Sequence, residues 1–374
     1  MTRRAPSAVV VALAALAACG GDGASTDTTP AGALSPISAD APFPAERCAA
    51  NRAAGTITYL SGFDFAAAAS IVEVLVADAR GYFDELCLDV EVRASFTTQN
   101  YPEIAAGKAQ FASGGSFSEM VDYAIANDAP FVAVAVEGKT GIDALIVKDG
   151  AADALEDLRG TTIGVKGKMT PSVAAMLLGA GLREGEDYQT VLLDGFDPTA
   201  HIAVPNIVGF PGYKSNEPNQ LAAAGIPHRV FDPADYDVPG SFGVLVGNRE
   251  WIATHPTAAQ DFLRAAMRAL ADSVADPQAA ADIAVGYINA NGNAMFLSPD
   301  GERARWAVDA RIVVATNAST ALGVPEPELL EAEVSAYADI GLFSGSAPDI
   351  DRYVDVELVA GVYDSARTVV WPSP

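Results

Sequence analysis

Residues 212–221 read GYKSNEPNQL and set Tyr213, Lys214, Asn216 and Glu217 within five positions, just ahead of Pro218. Those types suit recognition: the ring stacks, the amide donates and accepts, the carboxylate accepts and the lysine donates. Proline is at home in the first turn of a helix, where Asn216 or Glu217 would equally serve as a cap. Catalysis finds little support. His201, His228 and His255 stand far apart with no metal-ligand spacing, and the sequence has no G-x-S-x-G elbow and no G-x-G-x-x-G after a strand. Glu137-Gly138-Lys139-Thr140 looks like the end of a phosphate loop, but Ala133 stands where its first glycine belongs. After Lys168 the required Ser or Thr is Met169. Neither is a phosphate loop.

The elements that must position such residues alternate between strand and helix. Strands are expected at 55–61, 88–96, 109–114, 130–136, 143–148, 158–166, 188–194, 206–210, 228–232 and 240–248. Helices are expected at 66–80, with Gly81 as its stop, at 100–107, from Gly115 onward, at 171–180, at 218–224, at 254–275 and at 325–343. Phe262, Leu263, Met267 and Leu270 face inward on the long one, and Trp251 reads as core packing. This alternation calls for mostly parallel sheets covered on both faces, and two such sets imply two lobes.

In open sheets of this kind ligands lie beyond the carboxyl ends of strands. That rule selects Phe63, Asp64 and Phe65; Gly114, Gly115 and Ser116; Glu137 with Gly138, Lys139 and Thr140; Lys166 and Lys168; Asp194; and the stretch holding Tyr213, Asn216 and Glu217. Asp64 is open to two readings, helix cap or ligand contact. One of Phe63 and Phe65 would stack on a planar ring while the other fills core. Gly114-Gly115-Ser116 is either an N–H cradle for an anionic or carbonyl oxygen or only a tight turn.

The first residues carry Arg3 and Arg4 ahead of an apolar run too short for a permanent span, closing on Leu16-Ala17-Ala18-Cys19. That pattern resembles a bacterial lipoprotein signal over 1–18, with Cys19 as the lipidated first residue of the mature chain. A Gly-, Ser-, Thr- and Pro-rich stretch follows, so 19–54 reads as a flexible tether. The formal charge is −25, and loss of Arg3 and Arg4 makes it −27, which argues against nucleic acid and against a basic membrane patch. Of three cysteines, Cys19 goes to lipid, leaving Cys48 and Cys87, each just before an expected strand, as a pair for an oxidising compartment.

RGYFDELCLDVEV (80–92), LEDLRGTTIGV (155–165) and SNEP (215–218) resemble segments of the solute-binding proteins of ABC importers. The branch is that of the thiamine-pyrimidine-precursor and nitrate/taurine binders, and the resemblance covers roughly residues 55–345. It implies the type II periplasmic-binding-protein (venus flytrap) fold, α/β with two lobes. Lobe 1 would be 55–148 plus 249–345, lobe 2 149–248, and the tail 346–374, with crossings near 149–155 and 236–248.

The same resemblance implies a binder rather than an enzyme. It would have a small-molecule ligand, permease and ATPase subunits as partners, membrane contact through the lipid anchor alone, no cofactor, no metal and a monomeric state. The expected solute is a planar nitrogen heterocycle such as a pyrimidine precursor of thiamine, with Glu217 accepting from a ring amino group and Asn216 pairing with a ring nitrogen or oxygen. A sulfonate or nitrate held by the lysines and Gly114–Ser116, or a flavin-like ring, are the alternatives. A thiamine pyrimidine synthase shares this fold, but its cysteine-rich CCCFC motif is absent, and FDFAAAAS (63–70) holds no histidine where that family has one. A surface receptor that senses or stores its ligand would use the same lobes.

Overall fold

The computed structural model describes residues 36–291 and 298–373. The signal, Cys19 and the first part of the tether lie outside the described residues. Ten strands build two sheets: β1 (Thr56–Leu60), β2 (Asp89–Arg93), β3 (Phe111–Ser113), β4 (Phe131–Gly138), β5 (Asp143–Lys148), β6 (Thr162–Val165), β7 (Gln189–Leu192), β8 (Gly209–Tyr213), β9 (His228–Phe231) and β10 (Phe242–Asn248). The first sheet runs β2-β1-β3-β10-β4 and the second β7-β6-β8-β5-β9, each flanked by helices. Within each sheet one strand opposes the rest: β10 is antiparallel to β3 and β4, and β5 to β8 and β9. The two-lobed α/β fold expected from the alternation is therefore present, with mixed sheets.

The boundary strands correct the expected lobe limits. β5 was assigned to the first lobe and β10 to the second, yet each is hydrogen-bonded into the opposite sheet. The chain crosses at 139–142 and again at 232–241, not at 149–155 and 236–248. Both strands are almost wholly buried runs, so their sequences carry no face periodicity that would report a sheet. The two crossings touch: a Cβ on Gly240 would lie 2.6 Å from Gly141 N and 2.8 Å from its Cα. Only glycine permits that approach.

Three further expectations change. The helix placed at 66–80 begins at Val72, because Ser70 takes a left-handed backbone (φ 60°) that a helix cannot pass through, and side chains hold the turn before it. Glu302 Oε2 accepts from Ala67 N (2.9 Å), Asp309 Oδ2 from Ala69 N (3.3 Å) and Glu137 Oε1 from Ser70 N (2.9 Å). The tether placed at 19–54 stops earlier, since Ala45–Ala53 is a helix. It is fixed to the helix Pro256–Ala275 by the buried Arg47–Asp261 pair (2.7 Å) and to the segment before β2 by the Cys48–Cys87 disulfide. The tail 346–374 belongs to the first lobe: Val354 pairs with Ala133 of β4, and Leu358, Val359 and Val362 join the core of Phe262, Leu263, Met267 and Leu270. Among the described residues no helix is long and apolar enough to cross a membrane.

Candidate functional site

The carboxyl ends of β1, β2, β6, β7 and β8 bring residues of both lobes together. Phe63, after β1, meets Phe96, after β2, edge to face with centroids 5.7 Å apart. From the second lobe Phe196, after β7, approaches Phe63 at 6.4 Å and 67°. Phe196 is 57% exposed, an unusual setting for so large an apolar side chain. Cations cover this aromatic wall: Arg305 lies 5.7 Å from the Phe63 centroid and Lys166 Nζ 5.8 Å from that of Phe196.

Lys166 also donates to Glu217 Oε1 (2.8 Å), and Glu217 Oε2 accepts from Tyr213 N (2.8 Å). Glu217 is only 3% exposed, and the space for its side chain comes from Gly212, whose Cβ would sit 2.8 Å from Glu217 Cδ. Asn216 Oδ1 accepts from Arg305 Nη2 and from Gln220 Nε2, both at 3.0 Å. Lys214 pairs with Asp232 at 2.9 Å. The two residues expected to read a ring edge are thus engaged within the protein, holding a lysine and an arginine against the wall.

Beyond Glu217 the surroundings turn acidic. Tyr213 is 51% exposed and stands opposite Asp143 in the β5–β8 register. Burial pushes Asp143 up to about 7, helped by Glu119 and Glu217 and opposed by Lys214 and Lys166. Asp309 is pushed up to about 6 by burial, against the pull of the Ser215 hydroxyl, Ala69 N–H, Arg305 and Lys214.

The remaining candidates divide. Phe65 is buried against Tyr287 (5.5 Å) and fills core. Asp64 is buried with a left-handed backbone (φ 51°), caps no helix, and leaves Oδ1 without a bonded partner. Burial raises its carboxyl above the ordinary range. The N–H groups of Gly114, Gly115 and Ser116 are taken by Val244 O (2.7 Å), Tyr101 Oη (3.4 Å) and Glu119 Oε2 (3.3 Å). Ser116 closes a capping box on the helix Phe117–Asn127, so this stretch is a turn and cap rather than an open cradle. Glu137 is fully buried inside the first lobe and holds Ser70 N instead of facing the cleft. Lys168 is exposed.

Phe96, Phe196, Asp143 and Arg305 belong to the site and were not selected from sequence. Phe96 and Phe196 follow strands in the structure, β2 and β7, but Phe96 lies within the strand expected at 88–96. Among the described residues no cluster of His, Cys, Asp and Glu is arranged to hold a metal ion.

The profile described as NMT1/THI5 like matches residues 68–280, more than half of the chain. The chain belongs to the NMT1/THI5-like family. This agrees with the resemblance carried by residues 80–92, 155–165 and 215–218. A curated relative, the riboflavin-binding protein RibY of Chloroflexus aurantiacus, is 34% identical over 138 residues, which span 36% of this chain and 38% of the relative. Among solved structures, the periplasmic aliphatic sulphonate binding protein SsuA of Escherichia coli has a TM-score of 0.54 at 14% identity. That match covers 76% of this chain and 86% of the other. The desulfurization enzyme DSZB has a TM-score of 0.57 at 14% identity, covering 82% and 97%. At such identities the shared property is the two-lobed fold, which this NMT1/THI5-like chain has in common with binders and an enzyme alike.

Proposed function

We propose that this chain is an exported, lipid-anchored solute-binding protein of an ABC importer that closes its lobes on a flat nitrogen heterocycle, a flavin-type ring above all. The carrying observation is the wall of Phe63, Phe96 and Phe196, contributed by both lobes and left with Phe196 largely in solvent. Aromatic faces of this kind favour a planar π-system, and a ligand touched by both lobes biases their closure. The riboflavin-binding relative supports the same class. Asp143 and Tyr213 are the polar groups for the ring edge or a hydroxylated arm, in place of Asn216 and Glu217.

The family match favours a second reading, a thiamine-pyrimidine precursor, which the same wall would accept. A sulfonate or nitrate is disfavoured, because the N–H groups of Gly114–Ser116 are bonded and Lys166 and Lys214 are paired with carboxylates. Capture without chemistry is supported by the described cysteines, Cys48 and Cys87, being bonded to each other, and by the histidines lying on separate elements. The 1–18 signal and Cys19 supply the anchor, a permease and an ATPase are the partners, and the chain works as a monomer.

Titrating purified protein into riboflavin while following flavin fluorescence tests the reading, with melting temperatures measured against hydroxymethylpyrimidine, taurine and nitrate. Saturable quenching and a raised melting temperature with riboflavin are expected. A melting temperature raised by taurine but by neither heterocycle overturns it.

A further inference from the structure

The helix Pro299–Thr316 sets Glu302, Arg305 and Asp309 at spacings of three and four, and all three are buried. A buried stripe of two carboxylates and a guanidinium is costly unless each group is bonded. Glu302 and Asp309 are bonded to the first lobe's own backbone, at Ala67 N and Ala69 N, four to six residues beyond Phe63. Arg305 is held by Glu302 (3.0 Å) and reaches out of its lobe. Its Nη2 donates to Asn216 Oδ1 at 3.0 Å, immediately before the second-lobe helix Glu217–Ala223. Its guanidinium lies 5.7 Å from the Phe63 centroid. Asn219 Nδ2 donates to Ala304 O (3.4 Å), so a second bond joins the lobes beside the first.

We propose that Arg305 and Asn216 form a closure latch: a positioning pair that ties the second lobe to the Phe63 wall and makes ring capture and lobe closure one event. A bond made across two lobes contributes only while they face each other, so it shifts the open–closed balance toward the closed arrangement. Glu302 fixes Arg305 to the same backbone turn that carries the wall, so a ring resting on Phe63 meets a second lobe already in register. Without the latch the ligand and the remaining contacts, Asn219 to Ala304 O and Phe63 to Phe196, must supply more of the closing free energy, and the ligand leaves faster.

The ligand arm of the test rests on the reading of the cleft as a solute site; the latch itself is read without ligand. Asn216→Ala removes the acceptor while leaving the Glu302–Arg305 pair in place, and thermal melting checks its fold; Arg305→Lys and the double variant complete the cycle. Small-angle scattering of the ligand-free protein is expected to show a larger radius of gyration for Asn216→Ala. Stopped-flow flavin fluorescence should show dissociation faster by about five- to tenfold, the scale of one net intramolecular hydrogen bond, with association nearly unchanged. The double variant should dissociate no faster than the worse single one. An unchanged radius in folded Asn216→Ala, or fully additive effects of the two substitutions, overturns the latch. If wild type binds neither flavin nor pyrimidine, the solute reading falls while the scattering comparison still decides the latch.

Discussion

Glu73 of the helix Val72–Ala79 and Glu137 of β4, the strand that leads into the first crossing, lie beside each other, both fully buried. No other residue bonds either Glu73 oxygen or Glu137 Oε2, so at these atoms the two carboxyls have only each other, one donating its proton to the other. Burial pushes Glu73 up to about 8, and burial together with the neighbouring Glu73 pushes Glu137 well above its ordinary 4.5. Well below pH 4.5 both carboxyls are protonated in the folded and the unfolded chain, and their contribution is intact. Above it the unfolded chain releases protons that the folded chain keeps, so stability falls as pH rises through about 8 for Glu73. Glu73→Gln removes the Glu73 titration and leaves Glu137 as the one ionisable carboxyl of the pair. Its melting temperature should exceed that of wild type by a margin that grows between pH 5 and pH 8, on the order of 2 kcal/mol at the upper end. A margin constant with pH would remove the pair from the pH dependence.

Gly240 allows the two crossings to pass backbone against backbone, within 2.6 Å of a would-be Cβ. Gly240→Ala must push 232–241 away from 139–142, at a cost of about 1–3 kcal/mol, the usual price of overpacking. Urea unfolding should show that loss. Scattering should show an altered lobe arrangement as well, whereas a purely local cost would leave the scattering curve unchanged.

The alternation of strand and helix was enough to reach two lobes, because period and turn residues are local signals. What it missed was tertiary. DALIVK is buried except at its two ends and FGVLVGN throughout, and nothing in either stretch reports which sheet completes it. Ala66–Ile71 has the composition of a helix but is broken by the left-handed Ser70 and held by Glu137, Glu302 and Asp309, the last two more than 230 residues distant. The end-of-strand rule reached Phe63 and Lys166, which both lie against Phe196, and Tyr213, whose backbone N–H is held by Glu217. Phe96 falls inside the strand expected at 88–96, whereas β2 ends at Arg93, and Phe196 is told apart from core only by its exposure. Arg305 had no local signal at all. Its role comes from the fold bringing the C-terminal helices back over the first lobe.

Lys166 and Glu217 are an asymmetric pair, and the asymmetry is measurable. The carboxylate is buried while the lysine is partly in water. Lys166→Met leaves a buried carboxylate with only the Tyr213 N–H as donor, which should cost about 2–3 kcal/mol. Glu217→Gln leaves the lysine to water and keeps a carbonyl for one donor, at about 1 kcal/mol. Equilibrium denaturation should therefore rank Lys166→Met as the more damaging. The reverse order would mean that the pair is held open to solvent.

Phe196 gives the sharpest separation of binding from stability. It is 57% exposed at the end of β7, so Phe196→Ala forfeits little buried area and should leave the melting temperature within a degree or two. Its ring supplies the second-lobe side of the wall, where an aromatic contact contributes about 1–1.5 kcal/mol beyond area. Riboflavin affinity should fall by about tenfold. Phe63→Ala should weaken binding as well but also lower the melting temperature, since Phe63 packs on Phe96 at 5.7 Å. Phe65→Ala, buried on Tyr287 away from the cleft, should cost about 3 kcal/mol of stability and leave the affinity of the folded protein unchanged. The same flavin titration and melting curves on all three variants sort the rings. If Phe196→Ala binds riboflavin like wild type, the aromatic wall does not hold the ligand.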